Sequence, residues 1–239
     1  MNWQQNNHDR GNTEKRFGYH ERLPGVRITM SAPLYESDHL YEEQLAPNLY
    51  FDREHNAEAA KILPGEYYAT VRDMMIVTVL GSCVSACIRD KVNGIGGMKH
   101  FMLPDSGLDQ SNPLGDSARY GSYAMEVLIN DLLKMGAKRN NLEAKVFGGG
   151  AVLRGFSVGN VGERNAEFVL RYLQTENIPV AAQDLLDIYP RKVYFFPHTG
   201  LVRVKKLKAV HNDTIINRES EYKTRLQYAK VEGDVELFD

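Results

Sequence analysis

Two residues of this sequence, Cys83 and His100, could together carry nucleophilic chemistry. Cys83 follows Gly81 and Ser82, at the point where a short apolar, β-branched run is interrupted. Glycine permits a tight turn there, so the thiol can point into a cleft while neighbouring N–H groups stay free to hold an oxyanion. A thiolate beside such donors is what acyl transfer at an amide carbon requires.

His100 is the candidate base, which the thiol needs because only a small fraction of an ordinary thiol is ionised near neutral pH. The two apolar segments that carry Cys83 and His100 flank a stretch of turn-forming residues, which predicts an antiparallel hairpin. A turn centred on Lys91-Val92 places the pair directly opposite, with Cβ atoms about 4.5–5.5 Å apart. A turn centred on Asn93-Gly94 instead offsets the two residues along the strands.

Both residues also have a structural interpretation, because a lone cysteine in an apolar run is usually a core residue and a lone histidine near a strand end usually makes structural hydrogen bonds. The other cysteine, Cys87, lies on the same face as Cys83. Their CxxxC spacing is not specific, and no further Cys or His cluster completes a zinc site. We therefore predict that Cys87 belongs to the core, and we predict no metal and no cofactor.

Two other segments have more than one interpretation. Gly148–Gly150 follows a predicted strand but lacks both the GxGxxG pattern leading into a helix and the Lys-Ser/Thr pair of a P-loop. A close approach of glycine backbone to the cleft is the favoured interpretation. Glu163 could supply carboxylate chemistry, although it is expected to complement a helix dipole while Arg164 makes structural hydrogen bonds.

The elements that must position these residues alternate short strands with two amphipathic helices. This pattern favours an α+β fold, a layered α/β sandwich with a mixed, mostly antiparallel sheet core, over a regular βαβ array. The last two strands are expected to form a hairpin through Pro197–Gly200. The predicted strands are 74–80, 83–88, 95–103, 145–147, 178–182, 192–196 and 201–207, and the predicted helices are 118–135 and 162–176.

Composition divides the 239 residues into three parts. Residues 1–62 are polar with single scattered aromatics and are predicted to be a flexible N-terminal extension. Residues 63–207 contain the periodic segments and are predicted to be the folded domain. Residues 208–239 become polar again and are predicted to be a C-terminal tail.

Charge and hydropathy exclude several classes of function. The 29 Lys and Arg residues are balanced by 31 Asp and Glu residues, so nothing favours nucleic-acid or membrane-surface binding. No apolar run approaches the roughly 20 residues that span a bilayer. The N-terminus is polar and lacks the apolar stretch of a secretory signal, so we predict a cytoplasmic protein with reduced thiols.

Several segments in order strongly resemble the CheD family of bacterial chemoreceptor glutamine deamidases. These segments are LGSCVSACIRD from Leu80, GGMKHFMLP from Gly96, KVFGGGA from Lys145, GERNAEFVLRYL from Gly162 and RKVYFFPHTGLVRVKKL from Arg191. The resemblance covers about Pro64 to Leu207. It implies a protein-glutamine glutaminase that converts selected glutamines of methyl-accepting chemoreceptors to glutamate, releases ammonia and uses no cofactor. It also implies a layered fold similar to that of deamidating bacterial toxins.

The family's Cys-His-Thr triad maps onto this sequence unevenly. The cysteine maps onto Cys83 and the histidine onto His100, while the position of the threonine maps onto Val77. The nearest hydroxyl is Thr78, and a one-residue shift along a strand turns a side chain to the other face. Thr78 is therefore the candidate third residue on condition of a bulge or a shorter turn. Gly81 and Ser82 are the candidates for holding the oxyanion and positioning the substrate.

Two alternatives to the deamidase remain. Some relatives partner a chemotaxis phosphatase, so the chain could be a non-catalytic adaptor that binds a receptor or such a phosphatase. A Cys-His pair could also belong to another acyl transferase, such as a transglutaminase-like enzyme or an amidase.

Overall fold

The computed structural model describes residues 48–104, 116–151, 161–208 and 213–228. The flexibility predicted for residues 1–47 and the tail predicted for residues 229–239 lie outside these ranges. The strands are β1 Asn48–Asp52, β2 Ala57–Lys61, β3 Tyr67–Thr70, β4 Met75–Leu80, β5 Val84–Asp90, β6 Gly96–Phe101, β7 Leu142–Gly148, β8 Val180–Leu185, β9 Arg191–Phe196 and β10 Leu201–Lys206. The helices are α1 Asp116–Lys134, α2 Val161–Thr175 and α3 Asp213–Tyr228.

The strands form two five-stranded sheets that pack against each other. The first sheet has the order β1-β2-β4-β9-β10 and the second the order β3-β6-β5-β7-β8. Each sheet contains one parallel pair, β2 with β4 and β7 with β8, and the remaining pairs are antiparallel. The predicted α+β layered fold with a mixed, mostly antiparallel sheet core is confirmed.

The period-two alternation of strands assigns each side chain to a layer. On β4, Ile76 and Leu80 face the second sheet and share a core with Cys87 and Met98. Thr78 lies between Ile76 and Leu80 on the strand and therefore points the same way. The alternate residues of β4, Met75 and Val77, belong to a separate cluster on the opposite face of the first sheet.

The two predicted helices, α1 and α2, cover the outer face of the second sheet. Leu128 and Leu132 of α1 and Val169 of α2 are fully buried against Val84 and Ile88 of β5. Their spacing is the stripe expected of an amphipathic helix on a sheet. Within the described residues, none of the helices has the length and apolar character needed to cross a membrane.

The β5–β6 hairpin has a different register from both predicted alternatives. His100 lies opposite Ser85, and Cys83 lies just before the strand rather than opposite His100. The reason is a four-residue loop, in which the backbone N–H of Asp90 bonds to Ile95 and the Asp90 carboxylate accepts from Val92 at 2.8 Å. The prediction of a turn centred on Lys91-Val92 or on Asn93-Gly94 was wrong for this reason.

Folded elements also lie outside the predicted domain of residues 63–207. Strands β1 and β2 precede it, and helix α3 follows it inside the segment predicted to be a polar tail. Helix α3 nevertheless buries Glu219, Tyr222 and Leu226, each of them at most 6% exposed. Through Glu219, this helix reaches the turn that carries Cys83.

Candidate active site

Cys83 lies where the chain crosses from the first sheet to the second. Strand β4 ends at Leu80, strand β5 begins at Val84, and Gly81–Cys83, here called the Cys83 turn, connects them. All three residues of the turn are buried, and Cys83 is 0% exposed. The turn therefore brings backbone N–H groups and a thiol to the interior boundary between the sheets.

His100 and Thr78 approach this turn from the two different sheets. The Oγ1 atom of Thr78 lies 2.8 Å from Nδ1 of His100 and donates its proton to the carbonyl of Ile62 at 2.9 Å. A hydroxyl has one proton to give, so Nδ1 must carry the hydrogen and donate to Thr78. The Nε2 atom is then the basic nitrogen of the ring.

The basic nitrogen of His100 is available for the thiol. His100 is 0% exposed, and its Nε2 has no hydrogen-bond partner among the described residues. A ring nitrogen of His100, the Sγ of Cys83 and a carboxylate oxygen of Glu219 all lie within 4.8 Å of one another. The residue directly across from His100, Ser85, is also completely buried. The structure thus brings Cys83, His100 and Thr78 together, despite the different hairpin register.

Glu219 of α3 occupies the N–H groups of the Cys83 turn. Its Oε1 accepts from the backbone N–H of Gly81 at 2.8 Å and of Cys83 at 3.1 Å. Its Oε2 accepts from the backbone N–H of Ser82 at 2.8 Å and from the Ser82 hydroxyl at 2.7 Å. Three consecutive N–H groups that converge on one carboxylate form an anion-binding site beside the thiol.

The carbonyl side of the same turn is held by the second sheet and by α2. Backbone N–H groups of Gly149 and Gly150 donate to the carbonyls of Cys83 and Gly81 at 2.7 and 2.8 Å. The Asn165 amide donates to the Ser82 carbonyl at 2.9 Å and accepts from the Leu103 N–H at 2.9 Å. The close approach of glycine backbone that the sequence suggested for Gly148–Gly150 is present.

Burial controls the protonation of both reactive groups. Complete burial, together with the carboxylate of Glu219, raises the pKa of the Cys83 thiol well above its ordinary value. Burial, with a smaller effect of the neighbouring Lys99 ammonium, lowers the pKa of His100 to about 3. In this form of the protein, the thiol is protonated and the imidazole is neutral near neutral pH. A neutral imidazole is the state in which His100 can accept a proton.

The thiol, imidazole and carboxylate of Cys83, His100 and Glu219 also form a donor set that zinc could accept. However, both carboxylate oxygens of Glu219 already accept from backbone N–H groups of the Cys83 turn, and one of them also accepts from the Ser82 hydroxyl. The arrangement therefore fits an anion held by hydrogen bonds better than it fits a metal ligand. The other cysteine, Cys87, is 1% exposed and packs in the core between the sheets, as predicted.

Comparison with known proteins assigns the family. A protein of Methylobacillus flagellatus named "Probable chemoreceptor glutamine deamidase CheD" is 69% identical over 198 residues, which cover 82% of this chain and 98% of that protein. The chain belongs to the CheD family. A protein of the same name from Herminiimonas arsenicoxydans is 67% identical over 197 residues, which cover 82% of this chain and 97% of that protein.

The CheD family model, described as "CheD chemotactic sensory transduction", matches residues 102–206. That range begins just after His100, so the family model itself does not include the Cys83 turn. Among solved structures, a Bacillus licheniformis hypothetical protein, YfiH, covers 51% of this chain and 49% of its own, with 12% identity and a TM-score of 0.31. A similarity of that size carries no argument.

Two residues at this candidate site were not identified from the sequence. Asn165 directly follows Glu163 and Arg164, and its only signal was its position in the first turns of a predicted helix. Glu219 gave no signal, because a glutamate in a polar segment is most often solvent-exposed. The candidate positioning residues Gly81 and Ser82 do lie at the anion site, through their backbone N–H groups.

Proposed function

We propose that this chain deamidates glutamine side chains of methyl-accepting chemoreceptors, as a protein-glutamine glutaminase with Cys83 as the nucleophile. The observation that carries the proposal is the buried trio of Cys83, His100 and Thr78 next to an anion site built from backbone N–H groups. The chain is similar over most of its length to relatives named as probable chemoreceptor glutamine deamidases.

The first step of the proposed reaction is activation of the thiol. Nε2 of His100 takes the proton of Cys83, and the thiolate attacks Cδ of the substrate glutamine. Thr78 accepts the Nδ1 hydrogen and so fixes the tautomer in which Nε2 is basic. The imidazolium that forms keeps the hydrogen bond from its Nδ1 to the Thr78 oxygen.

The second requirement is an oxyanion site for the tetrahedral intermediate. The N–H groups of Gly81, Ser82 and Cys83 converge on one anionic group, here the Glu219 carboxylate. When a glutamine replaces that carboxylate, the same donors face its carbonyl oxygen as negative charge builds there. Removing one such donor typically costs a factor of about 10²–10³ in rate.

The reaction then releases ammonia and regenerates the enzyme. The imidazolium of His100 gives its proton to the departing nitrogen as the C–N bond breaks, which leaves a thioester on Cys83. A water molecule, deprotonated by His100, hydrolyses the thioester to a glutamate side chain and a free thiol. In the structure, a small cavity lined by Lys61, Ile62 and Val79 among others reaches His100.

The decisive experiment incubates the full chain with a receptor cytoplasmic domain and follows ammonia release and the Gln-to-Glu mass change. Cys83→Ala is expected to lower turnover on the order of 10³-fold or more, because the covalent step is lost. Cys87→Ala is the matched control, since Cys87 is a similarly buried thiol four residues further along, on strand β5. Turnover in Cys83→Ala equal to that in Cys87→Ala would contradict the proposal.

The role of Thr78 requires its own comparison. Thr78→Val keeps the shape of the side chain but removes the acceptor for Nδ1 of His100, so turnover should fall roughly 10-fold or more. Thr70→Val is the control, because Thr70 is also buried in a strand but bonds to Arg72 instead. Equal activity of the two variants would remove Thr78 from the proposed triad.

A second candidate function is that of a non-catalytic adaptor for a receptor or a chemotaxis phosphatase. The observation that favours it is the complete burial of Cys83, which an inert structural thiol would also show. Alkylation separates the two functions, because an adaptor's thiol would stay unreactive in the presence of the receptor domain. The deamidase requires that receptor binding expose a reactive Cys83.

The proposed partners and location follow from the substrate. The glutamines to be converted belong to the receptor, so the chain must contact methyl-accepting chemoreceptors directly. We place this reaction in the cytoplasm, where the two free thiols of Cys83 and Cys87 stay reduced.

A further inference from the structure

The carboxylate of Glu219 lies where the proposed reaction leaves its product. That product is a glutamate side chain whose carboxylate has just left the Cys83 sulfur, beside the N–H groups that held the oxyanion. Glu219 presents the same chemical group to the same donors, within 4.8 Å of both Cys83 and His100. Four hydrogen bonds, three from N–H groups and one from the Ser82 hydroxyl, hold it there.

We propose that α3 is a built-in competitor of the substrate, in which Glu219 acts as an internal product analogue that occupies the carboxamide site. This inference rests on the proposed deamidase function. A receptor glutamine and Glu219 cannot bind the three N–H groups of the Cys83 turn at once, so α3 must withdraw before turnover.

Helix α3 is seated by apolar contacts as well as by Glu219. Tyr222 and Leu226, three and seven residues after Glu219, lie on the same helical face and are buried at 6% and 4% exposure. Gly65 lies against the Tyr222 ring so closely that a Cβ at that position would be 2.7 Å from it. The hydroxyls of Tyr222 and Tyr120 also form a hydrogen bond. Glu219 is therefore placed by a docked helix and not by a chance surface contact.

The docked helix also favours the protonated form of the Cys83 thiol. Burial and the Glu219 carboxylate both raise the pKa of Cys83, so the closed form carries a protonated thiol. Glu219 and Ile215 of α3 line the cavity that reaches His100. Withdrawal of α3 removes the nearby negative charge and frees the oxyanion donors in one movement.

The first measurement compares Glu219→Ala with the wild-type chain and with Glu221→Ala. Glu221 is an exposed glutamate on the same helix and controls for a general change in α3 charge. Glu219→Ala should raise the rate of Cys83 alkylation about 10-fold or more. Peptide mass spectrometry distinguishes alkylation of Cys83 from alkylation of Cys87. With the receptor domain as substrate, Glu219→Ala should lower KM and leave kcat near the wild-type value, which is the signature of losing a competitor.

The second measurement uses Glu219→Gln in the full chain, which turns the product analogue into a substrate analogue. The thiolate of Cys83 would form a bond to Cδ of the introduced glutamine and break its C–N bond. Ammonia would leave with a proton from His100, and water would hydrolyse the thioester to restore glutamate. We expect the residue at position 219 to be recovered as glutamate, and to stay glutamine when Cys83→Ala is present in the same chain.

The outcomes separate this inference from the proposed function. Conversion at position 219 that depends on Cys83, together with faster alkylation in Glu219→Ala, supports the internal product analogue. A receptor that is deamidated while position 219 stays glutamine overturns it and leaves the proposed function intact. A lower kcat in folded Glu219→Ala also overturns it, because Glu219 would then assist the reaction. No deamidation of the receptor and none at position 219 would contradict the proposed function itself.

Discussion

Two helices hold opposite sides of the Cys83 turn, and they hold it with different groups. From α2, Asn165 donates to the Ser82 carbonyl and accepts from Leu103, so it connects the turn to the end of β6. From α3, Glu219 accepts from the N–H groups of the same turn. Asn165 binds a carbonyl, a group that the proposed reaction does not need. Glu219 binds N–H groups, which the proposed reaction needs as oxyanion donors.

The contacts on the carbonyl side are therefore a permanent support of the Cys83 turn, whereas Glu219 on the N–H side is a removable one. The carbonyl side is satisfied by Asn165, on a helix packed against the second sheet, and by the backbone of Gly149 and Gly150, which directly follow β7. The N–H side is satisfied by a side chain from the last described helix of the chain. Burying oxyanion donors costs little only if an acceptor, such as a carboxylate or a substrate, binds their N–H groups.

The largest expected effect tests the permanent side. Gly148→Ala would place a Cβ 2.2 Å from the Cys83 carbonyl oxygen at a φ of +112°, so β7 and the turn would have to separate. We expect a loss of about 3 kcal/mol or more of unfolding free energy in urea denaturation. Gly136→Ala is the control, because Gly136 has a φ of +102° but its Cβ would meet nothing nearer than 3.8 Å. Its cost should be only about 1–2 kcal/mol. Equal losses would show that backbone strain alone, and not support of the turn, explains Gly148.

The next effect concerns the pH dependence of stability that arises from His100, which is completely buried beside the Cys83 turn. Its pKa is lowered to about 3 in the folded protein, against about 6.5 in an unfolded chain. Between these values the unfolded state binds more protons, so stability falls as pH decreases from about 6.5 to about 3, by at most about 1.4 kcal/mol per pH unit. Carboxylates such as Asp90, whose pKa is lowered in the folded protein, add their own dependence at the acid end of this range. Between about pH 4.5 and about pH 6.5, urea denaturation should therefore show a steeper pH dependence in wild type than in His100→Gln.

The His100 titration also distinguishes the two supports. Glu219→Ala should raise the pKa of His100 toward its ordinary value, measured by NMR, because water reaches the ring when α3 withdraws. Asn165→Ala leaves α3 in place and should not raise it. His198→Gln, which changes an exposed histidine, is the control for the stability series. A pH dependence that is unchanged in His100→Gln would assign it to other groups.

Asn165→Ala tests the permanent side with a smaller change. It leaves the Ser82 carbonyl and the Leu103 N–H without their buried partner, which should cost about 1–3 kcal/mol of unfolding free energy. Turnover should fall as well, since the turn that carries Cys83 loses its anchor. Gln174→Ala, an exposed amide on the same helix, should change neither quantity. If Asn165→Ala instead increased turnover, as expected for Glu219→Ala, the distinction between the two helices would not hold.

The sequence predicted the permanent part of this site better than the removable part. The strands around Cys83 and His100 have strong apolar periodicity, and β4 through β10 all lie close to their predicted positions. The predicted register of the β5–β6 hairpin was wrong because the Asp90 carboxylate closes a four-residue loop. Turn propensity does not encode such a side-chain effect. Cys83 and His100 still meet, since a diagonal pair on one face of a sheet remains within reach.

Helix α3 could not be predicted in the same way. Among the α3 side chains that the structure describes, only Glu219, Tyr222 and Leu226 are buried, and one of the three is a charged residue that ordinarily marks a solvent-facing position. Strand β1 gave no signal for a related reason, because four of its five residues are exposed. Periodicity detects elements that bury apolar stripes, and it does not detect an element whose main contact is a carboxylate on backbone N–H groups.

The smallest effect concerns the Ser82 hydroxyl, which could serve either the substrate or α3. In the structure it donates to Glu219 at 2.7 Å, so Ser82→Ala should weaken the docking of α3 by about 1 kcal/mol and raise Cys83 alkylation about 5-fold. The same substitution in a Glu219→Ala chain should have no further effect on alkylation, because the partner of the hydroxyl is already gone. Receptor deamidation by that double variant decides between the two roles. Turnover equal to that of Glu219→Ala would assign the hydroxyl to the docking of α3. A clear decrease would instead place Ser82 among the groups that hold the substrate, and the N–H side of the turn would then no longer serve α3 and the substrate through the same groups alone.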